Sequence, residues 1–318
     1  MTRPFRFIAP MPVPDRPLAR WRDRLHRIED LGFDAVSVSE HLTGGWVMEA
    51  LTAMTAIVEV TTRLRVLSLA LNNDLRHPVL LHKAAATIDL VSDGRLELGL
   101  GAGWLERDYA AAGIRFDPPG VRIERLEESI RIIKGLFGPS PFSFAGRHYQ
   151  VAALEGLPRP TQLPHPPILI GGGGERILGL AAREADIIGV HARLDATTIG
   201  QEAARDLGEA AVAAKVSLVR DALVAAGRST EDVELQFTIY DCRITDGARL
   251  PVRGGTGFAR FLAADPELYR GSPAVLVGSL GACTDRLVEL RERFGLSYFK
   301  LSGDPETTAP IVARLAGR

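Results

Sequence analysis

The stretch Gly94–Tyr109, GRLELGLGAGWLERDY, guides the interpretation of the whole chain. Its first part, Arg95–Leu100, is apolar and follows a turn signal, so it predicts a short buried strand. Glycines at 99, 101 and 103 then mark the passage into a helix that begins near Leu105. Such glycines let a ligand, for example phosphate, approach free backbone N–H groups. Tight packing of the strand against the helix explains them equally well, and the stretch alone leaves both explanations open.

Strand patterns alternate with helix patterns on both sides of this stretch. The predicted strands are Phe5–Ala9, Asp34–Ser39, Leu64–Leu71, Arg95–Leu100, Pro167–Ile170, Asp186–Val190, Val233–Tyr240 and Tyr298–Leu301. The predicted helices are Leu18–Leu31, Val47–Val60, Pro78–Val91, Arg122–Phe137, Arg176–Arg183, Gln201–Ala226, Cys283–Phe294 and Pro305–Ala316, and a hairpin is predicted at Phe142–Val151. This alternation predicts an α/β fold, a (β/α)8 TIM barrel with insertions. An open doubly wound sheet is the alternative, because closure of a sheet is not visible in a sequence.

Residues 241–277 interrupt the alternation. The segment contains Gly254-Gly255-Thr256-Gly257 and is long for a plain connection, so it predicts an active-site lid or insertion. A disordered connector is the alternative, but apolar side chains give the segment something to pack: Phe258, Phe261, Leu262 and Tyr269. The prediction is therefore a single domain over residues 1–318 with a lid at about 241–277.

The composition excludes several classes of protein. A net charge of −1 gives no electrostatic reason to expect nucleic acid or an anionic membrane as a partner. Two cysteines allow no disulfide framework, and no His or carboxylate cluster has metal-ligand spacing, so no metal site is predicted. The start, MTRPFRFIAP, lacks the pattern of a signal peptide, and no apolar run is long enough to span a membrane. A cytoplasmic protein is expected.

Polar residues and glycines gather where the predicted strands end, which in a barrel is the face that carries the active site. Glu40 and His41 follow the second strand, Asn72 the third, Gly101–Trp104 the fourth, Gly171–Gly174 the fifth and His191 the sixth. The four consecutive glycines end a buried strand and open a helix, a geometry that presents N–H groups to a phosphate. They match neither the Walker loop nor the dinucleotide-binding pattern.

His41 is the candidate acid or base, because a histidine in a cleft titrates near neutral pH. Glu40 would orient it or contact a cofactor. A histidine that serves only packing is the competing interpretation, and the sequence weighs the two about equally.

Several segments together resemble the luciferase-like monooxygenase superfamily of flavin- and deazaflavin-dependent oxidoreductases. The matching pieces, which span nearly the whole chain, are VSVSEH at 36–41, LRHPVLLHKAAATIDLVSDGRLELGLGAGW at 75–104, RIERLEESI at 122–130, ILIGGGGERILGLAAREAD at 168–186 and LSYFKL at 296–301. Length and general sequence character most resemble the branch that uses the deazaflavin coenzyme F420, with FMN as the alternative cofactor. Lysine at only four positions among 38 basic residues fits the actinobacteria, in which that coenzyme is common.

The resemblance implies a cofactor ring across the barrel mouth, backed by a non-prolyl cis peptide that maps to Leu69–Ala70, give or take one bond. It implies that the glycine loops take the phosphate and its tail, and that the partners are a small-molecule substrate and a second copy of the chain in a homodimer. The catalytic residues it implies are His41, Glu40 and Trp104. The cofactor-binding residues it implies are Leu69, Ala70, Asn72, Gly101, Gly103, Tyr109, Gly171, Gly172, Gly173, Gly174 and His191.

The implied reaction is hydride transfer between a substrate carbon and C5 of the deazaflavin, with His41 exchanging the accompanying proton. Trp104 and the lid would exclude water. Trp104 also marks a departure, because certain sugar-phosphate dehydrogenases of the family have a glutamate at that place. An FMN-dependent monooxygenase and a cofactor-binding barrel without activity are the rival functions.

Overall fold

The parallel strands of the chain form a closed barrel. The computed structural model describes residues 3–45, 48–194, 196–245 and 257–318. The strands are β1 (Arg6–Pro10), β2 (Ala35–Val38), β3 (Arg65–Ser68), β4 (Leu71–Asn72), β5 (Leu96–Gly101), β6 (Phe142–Ala145), β7 (Gln150–Leu154), β8 (Ile168–Gly172), β9 (Ile187–Val190), β10 (Glu234–Ile239), β11 (Asp241–Ile244), β12 (Val275–Gly278) and β13 (Leu296–Leu301). The barrel order is β3, β2, β1, β13, β10, β9, β8 and β5, and β3 pairs with β5 to close the ring. The predicted (β/α)8 barrel is confirmed, and the open sheet is wrong.

Helices surround the barrel and cover the outward-facing apolar residues of its strands. They are α1 (Ala19–Asp30), α2 (Ala50–Val60), α3 (Pro78–Val91), α4 (Glu106–Ala112), α5 (Pro119–Phe137), α6 (Glu175–Glu184), α7 (Gln201–Arg205), α8 (Glu209–Ala225), α9 (Phe258–Ala263), α10 (Pro266–Gly271), α11 (Leu280–Phe294) and α12 (Pro305–Leu315). The predicted helix at Val47–Val60 begins at Ala50, and Val47 itself lies outside the described residues.

The third barrel strand is interrupted at one peptide bond. The prediction of a continuous strand over Leu64–Leu71 is wrong, because β3 ends at Ser68 and β4 resumes at Leu71 beside β5. The peptide between Leu69 and Ala70 is cis. The family resemblance implied a non-prolyl cis peptide at this bond, and the structure confirms that expectation.

The long helix predicted over Gln201–Ala226 is also wrong, because the chain forms two helices. A turn at Leu207 and Gly208 separates α7 from α8, and Leu207 is buried while Gly208 adopts extended backbone. Glycine weakens a helix interior, which favours a break at this position. The helical spacing of apolar residues continues on both sides of this turn, so the sequence pattern predicted one helix.

The segment 241–277 contains four short elements. β11 pairs in parallel with β12 outside the barrel sheet, and α9 and α10 lie between them in the chain. Phe258, Leu262 and Tyr269 are buried, as their apolar character indicated. Residues 246–256, which include most of the glycine run, lie outside the described residues. Both strands lie outside the regular alternation of barrel strand and helix on which the prediction was based, so both were missed.

The side chains inside the barrel form three levels. Arg6, Arg65, Glu97 and Glu234 lie at the amino ends of the strands. An apolar level follows, built from Ile8, Ala35, Leu67, Leu169, Ile187 and Tyr298. Above it, at the carboxyl ends, polar side chains and glycines border a cavity. This arrangement places the candidate site at the end of the barrel where TIM-barrel enzymes carry theirs.

Candidate active site

A cavity of about 830 Å³ opens at the carboxyl ends of the barrel strands. It is lined by loops that follow six of the eight predicted barrel strands, with further walls from α4, α5 and α9. The predicted residues that line it are Glu40, His41, Leu69, Ala70, Asn72, Gly101, Gly103, Trp104, Gly171, Gly172, Gly173, Gly174 and His191. The structure therefore brings these residues together at one site, although their roles remain predictions.

Tyr109 is the predicted cofactor-binding residue that the structure keeps out of the cavity lining. Its side chain is fully buried, and its hydroxyl lies 3.1 Å from both Asn72 Oδ1 and Asp74 Oδ2. Burial raises the pKa of Tyr109 to about 12, so the phenol stays protonated and donates. Tyr109 packs directly against the glycine loop, because a Cβ at Gly103 would lie 2.0 Å from the Tyr109 hydroxyl oxygen.

His41 is held by a carboxylate from a different part of the chain. Its Nδ1 lies 2.7 Å from Oδ2 of Asp108, which is nearly buried in the first turn of α4. Thr43 donates to the other carboxylate oxygen through both its backbone N–H and its hydroxyl. Burial by itself raises the pKa of Asp108, but the bonds from Thr43 and His41 outweigh burial and lower it. Asp108 therefore stays charged and fixes the orientation of the imidazole.

Glu40 does not take the orienting role that its position beside His41 suggested. Its carboxylate pairs with the Arg76 guanidinium and accepts the Asn72 backbone N–H at 2.8 Å. Both side chains of this pair are largely buried. Glu40 thus holds the loop after β4 in place, and the prediction that it orients His41 is corrected in favour of Asp108.

Aromatic side chains border the mouth of the cavity. Trp104 meets His41 edge to face, with ring centroids 5.9 Å apart. The guanidinium carbon of Arg122 lies 4.3 Å from the centroid of the Phe116 ring. Arg122 also donates a hydrogen bond to the Gly103 carbonyl. These contacts place aromatic side chains beside the imidazole and the glycine loop at the mouth of the cavity.

The glycine loop after β8 packs closely against its own protein. A Cβ at Gly173 would lie 2.3 Å from the Arg193 backbone nitrogen, so the loop requires glycine there for packing alone. Gly174, at the start of α6, is different, because a Cβ there would have no atom within 4 Å. The N–H groups at the start of this ten-residue helix border the cavity and suit an anionic group. The loop therefore needs glycine at position 173 for packing, and its binding of a phosphate stays a prediction.

The floor of the cavity contains polar side chains from the last barrel strands. The His191 ring lies over the backbone of β8 and β9, since a Cβ at Gly171 or Gly189 would fall within 2.9 Å of it. Burial, and the charges of Lys300 and Lys215, lower the pKa of His191 to about 4, so its imidazole is neutral at neutral pH.

Sequence reasoning missed three of the residues that shape this site: Asp108, Lys300 and Arg122. Asp108 lies within the quoted stretch, but nothing in its local pattern indicates a partner 67 residues away. Lys300 could have been found from the strand pattern. It lies two residues after Tyr298 on β13, so the two side chains share the face that points into the barrel.

Two further expectations concern absences. Within residues 3–45, 48–194, 196–245 and 257–318, no group of three or more His, Cys, Asp or Glu side chains is placed to hold a metal ion. Across the same described residues, no helix is both long enough and apolar enough to cross a membrane.

The chain matches a known sequence family over most of its length. The family described as luciferase-like monooxygenase matches residues 5–297. A solved structure, the coenzyme F420 dependent tetrahydromethanopterin reductase from Methanopyrus kandleri, superposes with a TM-score of 0.75 over 98% of both chains. Its sequence identity is 16%, so this likeness concerns the fold alone.

Curated relatives match about half of the chain. An F420-dependent glucose-6-phosphate dehydrogenase from Amycolatopsis mediterranei is 32% identical over 50% of this chain and 49% of its own length. An FMNH2-dependent dimethylsulfone monooxygenase from Pseudomonas putida is 33% identical over 43% of this chain and 38% of its own. The chain therefore spans half or less of the length of these relatives, and they differ in cofactor.

Proposed function

Because the chain belongs to the luciferase-like monooxygenase family, we propose that it is an oxidoreductase that uses coenzyme F420 to transfer a hydride to or from an organic small molecule. The observation that carries this proposal is the cavity that combines two glycine loops with the His41–Asp108 pair. The F420-dependent relative supports the choice of cofactor.

The residues of the cavity fit such a cofactor. The volume of the cavity, about 830 Å³, lies in the usual range for ligand sites. Gly174 and the start of α6 would hold the phosphate, and Leu69–Ala70 would support the ring. When bound, the coenzyme supplies the carbon that accepts or gives the hydride.

His41 would hold or move the proton that accompanies the hydride. With Nδ1 bonded to the charged Asp108, the neutral imidazole has its proton on Nδ1 and presents Nε2 as a base. After Nε2 takes a proton, the Asp108 carboxylate stabilises the resulting cation. The pair can therefore serve either direction of the reaction, and Trp104 shields it from water.

Titration of the purified protein with F420 and with FMN, followed by calorimetry, tests the choice of cofactor. We expect tighter binding of F420, and a hundredfold preference corresponds to about 2.7 kcal/mol. Micromolar affinity for FMN with no detectable F420 binding would contradict the proposal.

The second candidate is an FMN-dependent monooxygenase, which the dimethylsulfone monooxygenase relative favours. An oxygen-uptake assay separates the two, because a deazaflavin does not readily activate oxygen. Binding of F420 without turnover of any tested alcohol, aldehyde or enone would instead support a barrel that binds the cofactor and lacks activity.

A further inference from the structure

Lys300 occupies the floor of the cavity as a cation inside the barrel. It lies on β13, where its register partners are Ile8 of β1 and Thr238 of β10. Ile8 belongs to the apolar level inside the barrel, so Lys300 faces the same interior. Its side chain is partly buried and lines the cavity beside His191.

The ammonium group of Lys300 has no counter-ion among the described residues. The carboxylates that line the same cavity each have another partner: Glu40 pairs with Arg76, Asp108 with His41, and Asp117 with Arg125. Asp206, which lies near the His191 loop, pairs with Lys215. Rearrangement of any of these pairs to reach Lys300 would leave the present partner of that carboxylate without its hydrogen bond.

The titratable neighbours of Lys300 do not compensate its charge. His191, which follows β9, is neutral at neutral pH, and burial raises the pKa of Tyr240, which follows β10 and keeps its phenol protonated. Thr238 offers only a hydroxyl. Burial lowers the pKa of Lys300 to about 8, so the side chain remains mostly charged at pH 7.

An unpaired cation in a cavity is costly for the fold, and such costs concentrate at sites that a ligand completes. We propose that Lys300 binds an anionic oxygen of the ligand that fills the cavity floor. The chemistry is that of a carboxylate, phosphate or enolate oxygen, which accepts a charge-assisted bond from an ammonium group. The inference deepens the proposed function and rests on it, since it assigns the charge of the cofactor ring or of the substrate.

Two variants of Lys300 test this role. Lys300→Met removes the charge and keeps the length of the side chain, whereas Lys300→Arg keeps the charge. Lys83→Met is the matched control, because Lys83 is exposed on α3 and does not line the cavity. Affinities for F420, FMN, acetate and inorganic phosphate are measured by calorimetry on the free protein and on the protein loaded with whichever cofactor binds.

The two sources of the anion give different results. If the anion belongs to the cofactor, Lys300→Met weakens cofactor binding by about 10- to 100-fold, as expected for a hydrogen bond to a charged group. If it belongs to the substrate, cofactor affinity stays within about twofold, but the loaded wild type binds acetate or phosphate and loses that binding in Lys300→Met. In both cases Lys300→Arg retains most of the affinity and Lys83→Met behaves as wild type.

Thermal melting adds a measurement that does not depend on binding. A neutral side chain relieves an unpaired charge, so Lys300→Met should melt at a higher temperature than wild type. A lower melting temperature, with unchanged affinity for all four probes, would overturn the proposal and indicate a structural lysine. If neither cofactor binds the wild type, the proposed function fails. The acetate and phosphate titrations of the free protein then still test whether Lys300 binds an anion.

Discussion

The barrel has a lower end, at the amino ends of its strands, and an upper end, at their carboxyl ends. The two ends differ in whether their buried charges are paired. At the amino ends of the strands, Glu97 is almost fully buried and accepts bonds from Arg6, Arg65 and the Tyr298 hydroxyl. Glu234 completes this network through a 2.7 Å bond to Arg6. At the carboxyl ends, Lys300 lines a cavity and has no partner among the described residues.

This contrast separates stability from function within one sheet. The network at the lower end is closed, because each charged side chain in it meets a side chain of opposite charge. The upper end keeps its carboxylates paired but leaves the Lys300 cation and the open Cβ position of Gly174 facing the cavity. Substitutions at the lower end should therefore change unfolding, and substitutions at the upper end should change binding and turnover.

The largest effect is expected at His41. His41→Ala removes the group that exchanges the proton, so kcat should fall by about 10²- to 10⁴-fold while most of the cofactor affinity remains. Stopped-flow measurement of hydride transfer and a thermal melt on the same variant provide the test. Asp108→Asn keeps the shape of the partner but loses its charge, and it should lower kcat by a smaller factor and shift the pH profile of the reaction.

The opposite result would identify His41 as a packing residue. In that case His41→Ala would melt at a lower temperature and turn over at a near-normal rate. Its edge contact with Trp104 makes this outcome physically reasonable, so both measurements are needed.

At the lower end, Glu97→Gln should lower the free energy of unfolding by about 3 kcal/mol, because it leaves Arg6 and Arg65 with less compensation in a buried network. The charges of these two arginines outweigh burial and hold the pKa of Glu97 below its usual value, so the loss concerns a charged group. Urea unfolding measures the change. Cofactor affinity should stay within about twofold, and a large loss of affinity would break the division between the two ends.

The sequence predicted the parts of this molecule that depend on local pattern. Buried strands and amphipathic helices alternate clearly, so the barrel and the glycines at its rim could be placed by number. The position of the cis peptide after Leu69 came from resemblance to a family, because no residue pattern indicates a cis bond between two ordinary residues.

Contacts between distant segments could not be predicted in the same way. Glu40 is adjacent to His41 in the chain, yet it turns to Arg76, while Asp108 reaches the imidazole from α4. A strand end and a helix start meet there only because the barrel closes. Neighbours in sequence are therefore poor guides to neighbours in a site built from several loops.

The difference in stability between wild type and Lys300→Met should depend on pH. Burial lowers its pKa from 10.5 to about 8, so below about pH 8 the folded state holds a charge that it disfavours. Above pH 10.5 the amine is neutral in both states, and the cost disappears. Urea unfolding should therefore show Lys300→Met to be about 1–3 kcal/mol more stable than wild type at pH 7, with the difference shrinking between pH 8 and 10.5. A difference independent of pH would show that the charge is not its cause.

The smallest effect is expected at the start of α6, where a single methyl group tests the space left for the phosphate. Gly174→Ala introduces a Cβ with no protein atom within 4 Å, at a φ of −91° that alanine adopts freely. Any change in affinity must then come from contact with the ligand. We expect F420 to bind about three- to tenfold more weakly, measured by calorimetry, with an unchanged melting temperature.

Gly200→Ala is the matched control for this substitution. Gly200 also precedes a helix, has an equally open Cβ position and does not line the cavity. Gly173→Ala would be uninformative, because its Cβ would collide with the Arg193 backbone nitrogen and disturb the loop itself. If Gly174→Ala and Gly200→Ala both bind F420 as the wild type does, the phosphate does not reach the start of α6. The open space there would then belong to the structure of the loop, and the upper end of the barrel would hold its ligand through other residues.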